Sequence, residues 1–172
     1  RFKFANLAFN HTASWPPYQG VKGSFELRGG RASAHATEGK MGRLTASMDA
    51  LVSNVAASDA TLDVTSTFTG DAQTFVELFK RSQKDYAAAL KGVSASGKVR
   101  AVTNVQSALN SDQRELNAQL ELNKNRLQVS GVATKLTDLT GNLNFRGGNL
   151  TTNDLSIEIE GERFKLNGQY KL

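Results

Sequence analysis

Apolar and polar residues alternate with a period of two along most of this chain, and this pattern restricts the chain to β structure. In the segment 21–28, Val21, Gly23, Phe25 and Leu27 would face one side of a strand, and the polar residues between them the other side. The same alternation occupies five further segments: 43–50, 116–122, 139–145, 155–159 and 164–170. Strands with one apolar and one hydrated face are typical of antiparallel sheets that water reaches on one side.

Short polar connections predict that each strand pairs with its predecessor in a meander. Glycine and asparagine mark these connections, and both residues tolerate the positive φ of tight hairpins. The predicted turns lie at residues 29–30, 38–40, 123–125, 147–148 and 160–162.

A single stretch has helical spacing instead. Phe75, Leu78 and Phe79 are placed for one helix face, and Asp71 is a suitable N-cap for the first turn. The pattern predicts two short helices, 72–81 and 84–91, that cover one end or one edge of the sheet. The expected fold is therefore mainly β, an antiparallel meander curled into an open groove, with a helical insertion around 72–91.

The chain also contains an internal repeat. Segment 21–30 lines up with segment 139–148 at an offset of 118 residues, and Arg28 and Arg146 each precede a Gly-Gly pair. Such a unit cannot bury its own apolar face and is repeated to extend one surface. The sequence predicts a first repeat half, a helical insertion and a second repeat half, at residues 1–70, 71–92 and 93–172.

Composition excludes several classes of protein. The 172 residues include no cysteine, which excludes disulfides, thiolate metal sites and cysteine nucleophiles. The net charge is +5, but the basic residues are spread singly along strands and not clustered with aromatics, so we expect no nucleic-acid partner. No apolar run is long enough to cross a membrane. Because Arg1 follows neither an initiating Met nor an apolar leader, we expect a piece of a larger protein.

The residues do not assemble a catalytic motif. His11 and His35 have no acidic or histidine partner at metal-ligand spacing. Glu158, Glu160 and Glu162 alternate as if on one strand face, where a hydrated face is the simpler interpretation. No nucleophile elbow, phosphate loop or dinucleotide fingerprint is present. We therefore expect no enzyme activity, no cofactor and no metal.

The segment Ser14-Trp-Pro-Pro-Tyr18 must leave the sheet, because proline cannot donate to a strand ladder. One interpretation is a rigid crossover whose Trp15 packs on the core. The other is a fixed aromatic at a groove wall or a membrane rim.

These segments together resemble a known family. Residues 9–30, with Trp-Pro-Pro followed by an alternating strand and a Gly-Gly turn, resemble the repeat opening of YhdP-type proteins of the AsmA-like clan. The run 66–79 resembles the strand and helix that follow in that family. The segments beginning at Val93 and Leu139 continue the same order, so the resemblance spans nearly the whole chain.

The resemblance implies a fragment of a bridge-like lipid transfer protein related to TamB. The parent would be periplasmic and anchored to the inner membrane by parts outside this fragment. Its β-sheet trough would conduct the acyl chains of phospholipids towards the outer membrane and support envelope integrity. The resemblance carries no catalytic residue over to this chain.

We therefore expect the inward apolar residues to bind phospholipid or fatty acyl chains. Small inward residues (Ala32, Ala34, Ala36 and Ala46) would leave room for them. The groove candidates are Trp15, Val21, Phe25, Leu27, Leu44, Met48, Leu139, Leu143, Phe145, Leu155, Ile157, Ile159, Phe164 and Leu166. The alternatives are a structural or adhesive β-repeat with a closed core and no ligand, and, more remotely, a nucleic-acid-binding β domain.

Overall fold

Strands and one helix make up the computed structural model of the chain, which describes residues 1–10, 16–82, 87–88, 90–111 and 114–171. Helix α1 spans Ala72–Ser82 and lies between the fifth and sixth strands. The strands are β1 (Phe2–Phe9), β2 (Tyr18–Arg28), β3 (Arg31–Met41), β4 (Leu44–Ser53), β5 (Thr61–Asp71), β6 (Val93–Ser96), β7 (Lys98–Ala108), β8 (Arg114–Val129), β9 (Leu136–Arg146), β10 (Asn149–Ile159) and β11 (Glu162–Lys171).

The strands form one antiparallel sheet in the order β1-β2-β3-β4-β5-β7-β8-β9-β10-β11, and β6 pairs with the last part of β8. Strands β1 and β11 are its edges, and within the described part of the chain nothing pairs them, so the sheet is open and not a closed barrel. The predicted fold class, a mainly β antiparallel meander with a short helix, is confirmed.

The two ends of the strands differ. At one end β5 runs directly into α1, and we call this the helix end. At the other, the open end, the turns 29–30, 54–60 and 147–148 join consecutive strands. Among the described helical residues, none forms a helix long and apolar enough to span a membrane.

Helix α1 agrees with the first predicted helix, 72–81. Asp71 does not cap it as predicted: it is the last residue of β5, and its carboxylate accepts a hydrogen bond from Lys98 Nζ at 2.9 Å. The amide of Ala72 instead donates to the carbonyl of Gly97 at 2.9 Å. Of the second predicted helix, 84–91, residues 84–86 and 89 lie outside the described residues, residues 87–88 are helical and residues 90–91 form a turn.

The offset of 118 residues recurs throughout the backbone. Strands β2, β3 and β4 begin and end 118 residues before β9, β10 and β11, respectively. The irregular backbone positions repeat as well: positive φ angles occur at Asn6 and Lys124 (57° and 52°), Gly20 and Asp138 (62° and 50°), and Gly42 and Glu160 (60° and 53°). The repeat therefore includes the bends and turns of the chain, and relates residues 2–53 to residues 120–171. The division of the chain at residues 71 and 92 stays a prediction.

Two predicted turns lie inside strands. Strand β3 continues through residues 38–40 to Met41. Gly39 does not form a turn but allows close packing against Val21, since a Cβ at residue 39 would lie 3.1 Å from Val21 Cγ2. Strand β8 continues through residues 123–125, where the ladder with β9 shifts register in a β-bulge. The three glutamates at 158, 160 and 162 also do not share a strand face, since Glu160 lies in the turn between β10 and β11.

The sheet curls toward one of its faces. Tyr18 on β2 and Phe68 on β5 are three strand positions apart, which in a flat sheet corresponds to about 14 Å. Their ring centroids are 6.3 Å apart. Phe9 on β1 continues the contact by stacking on Tyr18 at a centroid distance of 4.7 Å. The face toward which these rings point is the concave one, and we call it the inner face.

Candidate functional site

One row of directly paired residues shows how the inner face continues across the sheet. Directly opposed residues in antiparallel strands project to the same side. The row crosses ten strands, from β1 to β11, through Phe4, Gly23, Ala36, Met48, Ser66, Thr103, Ala118, Phe145, Leu150 and Tyr170. Nine strand spacings correspond to about 43 Å measured along the sheet. The inner face is therefore one uninterrupted, largely apolar surface.

The predicted groove residues lie on this face. Leu143 pairs with Leu120, Leu155 with Leu166, and Ile157 with Phe164. Trp15 lies outside the described residues. The other predicted positions all project from the inner face: Val21, Phe25, Leu27, Leu44, Met48, Leu139, Leu143, Phe145, Leu155, Ile157, Ile159, Phe164 and Leu166. Their contact with lipid stays a prediction.

The inner face is buried at the helix end and exposed at the open end. Val21 and Leu44, near the helix end, are 2% and 1% exposed. Leu27 and Phe2, near the open end, are 61% and 71% exposed. Water therefore reaches a large apolar surface at the open end, which a segment with a packed, closed core would not leave uncovered.

Helix α1 covers the inner face at the helix end. Phe75 and Leu78 join the buried cluster that includes Phe68 and Val99 on the strands below. The helix is held at its start by the amide of Ala95, which donates to Gln73 Oε1 at 2.8 Å. The helix therefore fills part of the groove over β5, β6 and β7.

A second buried cluster forms without a covering helix. Leu139, Leu155 and Ile157 are each less than 10% exposed and pack with Leu122 and Leu136 around them. Because no second layer lies over them among the described elements, their burial comes from neighbouring side chains on a curved sheet. This cluster and the one under α1 share Leu122.

Small side chains leave space on the inner face of β3 and β4. Ala32, Ala34 and Ala36 face this side from β3, and each pairs with an inner residue of β4. Ala46 pairs with Phe68. Of these alanines, Ala46 lies beside the ring contact between Tyr18 and Phe68.

The edge strands expose apolar inner residues. On β11, Phe164, Leu166 and Tyr170 are 44%, 41% and 66% exposed. Edge strands usually present charged residues to water. Exposed apolar side chains on an edge strand instead indicate a surface that binds an apolar partner or ligand.

Sequence reasoning missed several inner residues. Tyr18 follows two prolines and gave no alternation signal, and Phe68 lies in a threonine-rich strand. Burial raises the pKa of Tyr18 to about 12. Met41 was hidden by the turn predicted before it, whereas Leu120 and Leu122 carried an alternation signal that could have identified them.

Asn125 is a buried polar residue of this face, 3% exposed, as is Ser66 at 5%. Its side-chain amide donates to the carbonyls of Ser96 and Lys98 at 3.3 and 3.0 Å, on either side of Gly97. Its Oδ1 accepts from the amide of Asn123 at 2.8 Å. These bonds satisfy the side chain within the sheet, so Asn125 offers no free polar group to a ligand.

The outer face of the sheet is polar. His35 lies on this face and contacts the carboxylate of Asp49 directly across β3 and β4. Asn104 Nδ2 donates to Asp63 Oδ1 at 2.8 Å in the same way across β5 and β7. In the part of the chain that the structure describes, no cluster of histidine, aspartate and glutamate has the arrangement of a metal site.

Comparison with known proteins identifies one family. The model of the YhdP protein family matches residues 1–171, which is nearly the whole chain. No curated protein and no solved structure matches the chain.

Proposed function

We propose that this chain, which belongs to the YhdP protein family, forms a segment of a groove that holds the acyl chains of phospholipids. Family membership fits a lipid-transport protein of the cell envelope. The finer proposal is that the segment lies in the periplasm of a parent protein anchored in the inner membrane. There it would provide one stretch of a path along which phospholipids pass to the outer membrane.

The observation that carries this proposal is the exposed part of the inner face. Burying apolar surface contributes about 25 cal/mol per Å², so an acyl chain laid on this surface would be stabilised by several kcal/mol. The face holds no charged side chain in its central row, from Phe4 to Tyr170. An acyl chain there would meet no unpaired charge, and contact would be distributed over many residues.

Position-specific photo-crosslinking tests which face contacts lipid. A photoreactive amino acid at Leu166, on the inner face of β11, should crosslink to phospholipid when the purified chain is incubated with vesicles. The same group at Lys165, the neighbouring residue on the opposite face, is the matched control and should give little lipid adduct. Equal yields at the two positions would contradict the proposal.

A charge on the inner face tests the same proposal by another route. Leu166→Asp places a carboxylate on an exposed part of the groove and should reduce phospholipid uptake, measured by native mass spectrometry, by about tenfold. Val132→Asp makes a similar change at a residue that is 50% exposed in the connection between β8 and β9. Uptake by that variant should match the unmodified chain.

A further inference from the structure

Two arginines flank the first turn at the open end. Arg28 and Arg31 pair directly across β2 and β3, so both side chains project from the outer face. Neither guanidinium forms an ion pair with any described residue. They line a surface depression of about 470 Å³ together with Glu26, Gly29, Ser33 and Leu51.

Among the described residues, the unpaired state of Arg28 and Arg31 contrasts with basic residues of the same sheet that contact carboxylates. Two basic residues at the helix end contact acids: Lys98 pairs with Asp71, and Arg163 with Asp138. The contrast extends to the second repeat, where Arg146 occupies the position of Arg28 but has Glu115 Oε1 at 3.8 Å from its Nε. The positive charge of Arg28 at the first turn is therefore not paired with any described carboxylate, whereas that of Arg146 at the second turn is.

The depression borders the exposed part of the groove. Phe25 and Leu27 precede the turn on the inner face and are 38% and 61% exposed. A Cβ added at Gly29 or Gly30 would meet no atom within 4 Å. The turn, Gly29-Gly30, carries no side chain. No side chain of the turn therefore lies between the two arginines on the outer face and Leu27 on the inner face.

On the basis of the proposed function, we propose that Arg28 and Arg31 bind the headgroup of an anionic phospholipid whose acyl chains lie on the inner face beside Leu27. Guanidinium groups bind phosphate oxygens in a two-pronged geometry, and two adjacent arginines suit a phosphodiester. Glu26 in the same depression reduces the local charge to one positive unit, which complements a headgroup carrying one negative charge. Ser33 supplies a hydroxyl, and Leu51 an apolar contact, on the side away from the turn.

A competition between two lipids tests the proposal. The delipidated chain is incubated with equal amounts of phosphatidylglycerol and phosphatidylethanolamine that carry identical acyl chains, and the bound lipids are counted by native mass spectrometry. The unmodified chain should prefer phosphatidylglycerol. The double variant R28Q/R31Q should lower this preference about tenfold, since the two guanidinium charges favour a headgroup of net negative charge over a zwitterionic one. The single variant E26Q should raise it.

The second repeat provides the matched control. R146Q/K171Q removes the same charge from the open end at the other copy of the turn and should keep the preference of the unmodified chain. Equal losses in the two double variants would overturn the headgroup site, because they would report net charge alone. An unmodified chain that binds both lipids equally would also overturn it.

Two further results separate this proposal from its alternatives. A chain that takes up neither lipid contradicts the proposed groove function itself, whereas uptake without preference contradicts only the headgroup site. Inorganic phosphate alone should give no saturable binding by calorimetry. Saturable phosphate binding that R28Q/R31Q abolishes, with no lipid preference, would identify a free anion as the ligand and overturn the proposal.

Discussion

Asn125 fits against Gly97 so closely that a side chain at residue 97 would collide with it. A Cβ built on Gly97 would lie 2.6 Å from Asn125 Nδ2. Gly97 has a φ of 103° and separates β6 from β7, and the register of pairing with β8 changes there by one residue. Asn125 bonds to the carbonyls on both sides of this break. Asn125 on β8 therefore bonds to β6 and to β7 on either side of the break between them.

Replacing Asn125 should destabilise the sheet. Asn125→Ala removes the buried side chain that bonds to the carbonyls of Ser96 and Lys98, and we expect a loss of about 1–3 kcal/mol in the free energy of unfolding, measured by urea denaturation. Asn123→Ala removes the same type of side chain from an exposed position two residues earlier and should cost less than about 0.5 kcal/mol. Equal losses would show that the bonds across Gly97 do not matter.

Gly23 should not tolerate a methyl group. A Cβ there would lie 2.1 Å from the carbonyl oxygen of His35 and 2.7 Å from Phe4 Cζ, so Gly23→Ala must shift backbone. We expect a loss of about 2–3 kcal/mol in thermal or chemical denaturation. Gly168→Ala, in a strand where nothing lies within 4 Å, is the comparison and should be close to neutral. A neutral Gly23→Ala would mean that β1 and β3 leave room for a methyl group beside Gly23, contrary to these distances.

Phe75 should anchor α1 to the inner face. It is 7% exposed within the main cluster, and Phe75→Ala should cost about 3–5 kcal/mol by creating a cavity under the helix. Phe79 on the same helix is 36% exposed, and Phe79→Ala should cost clearly less. Hydrogen exchange of the α1 amides should accelerate in the first variant. Unchanged exchange there would contradict the anchoring role.

Tyr18 should make the fold sensitive to alkali. Burial raises the pKa of its hydroxyl to about 12, above the value of about 10 in an unfolded chain. The folded state therefore holds this proton more tightly, and the resulting stability is complete below pH 10 and is lost as pH rises through 12. The loss should reach at most about 2–3 kcal/mol.

Tyr18→Phe provides the measurement that isolates this effect. Because other groups titrate in the same range, the free energies of unfolding of the two proteins are compared at each pH. The difference between them should change in favour of the variant between pH 10 and 12. Parallel curves would show that the hydroxyl ionises as freely in the folded chain as in the unfolded one.

The sequence predicted the faces of the sheet well because alternation is a local property. Leu155 and Ile157 share one side of β10, and Phe164 and Leu166 share one side of β11, because they are two residues apart in a strand. It also placed α1 correctly from the spacing of Phe75 and Leu78. These predictions needed no knowledge of which strands come together.

The interior contacts could not be predicted in the same way. Tyr18 meets Phe68 only because the sheet curls across three strands, and no local pattern records that bend. Glycine was also ambiguous: Gly29 makes a turn, whereas Gly39 lies within a strand beside Val21. In a sequence both appear as breaks, since a glycine needed for a turn and a glycine needed for close approach look alike.

The repeat of backbone bends every 118 residues has a consequence for how such a groove can change over evolution. Bends at matching positions are kept while the side chains between them differ: Ala46 corresponds to Phe164, and Leu44 to Glu162. Different residues of the same strands therefore determine the curvature of the sheet and the side chains that line its inner face. Substitutions on the inner face can make the groove of one repeat wider, narrower or more polar while the backbone keeps the same curvature.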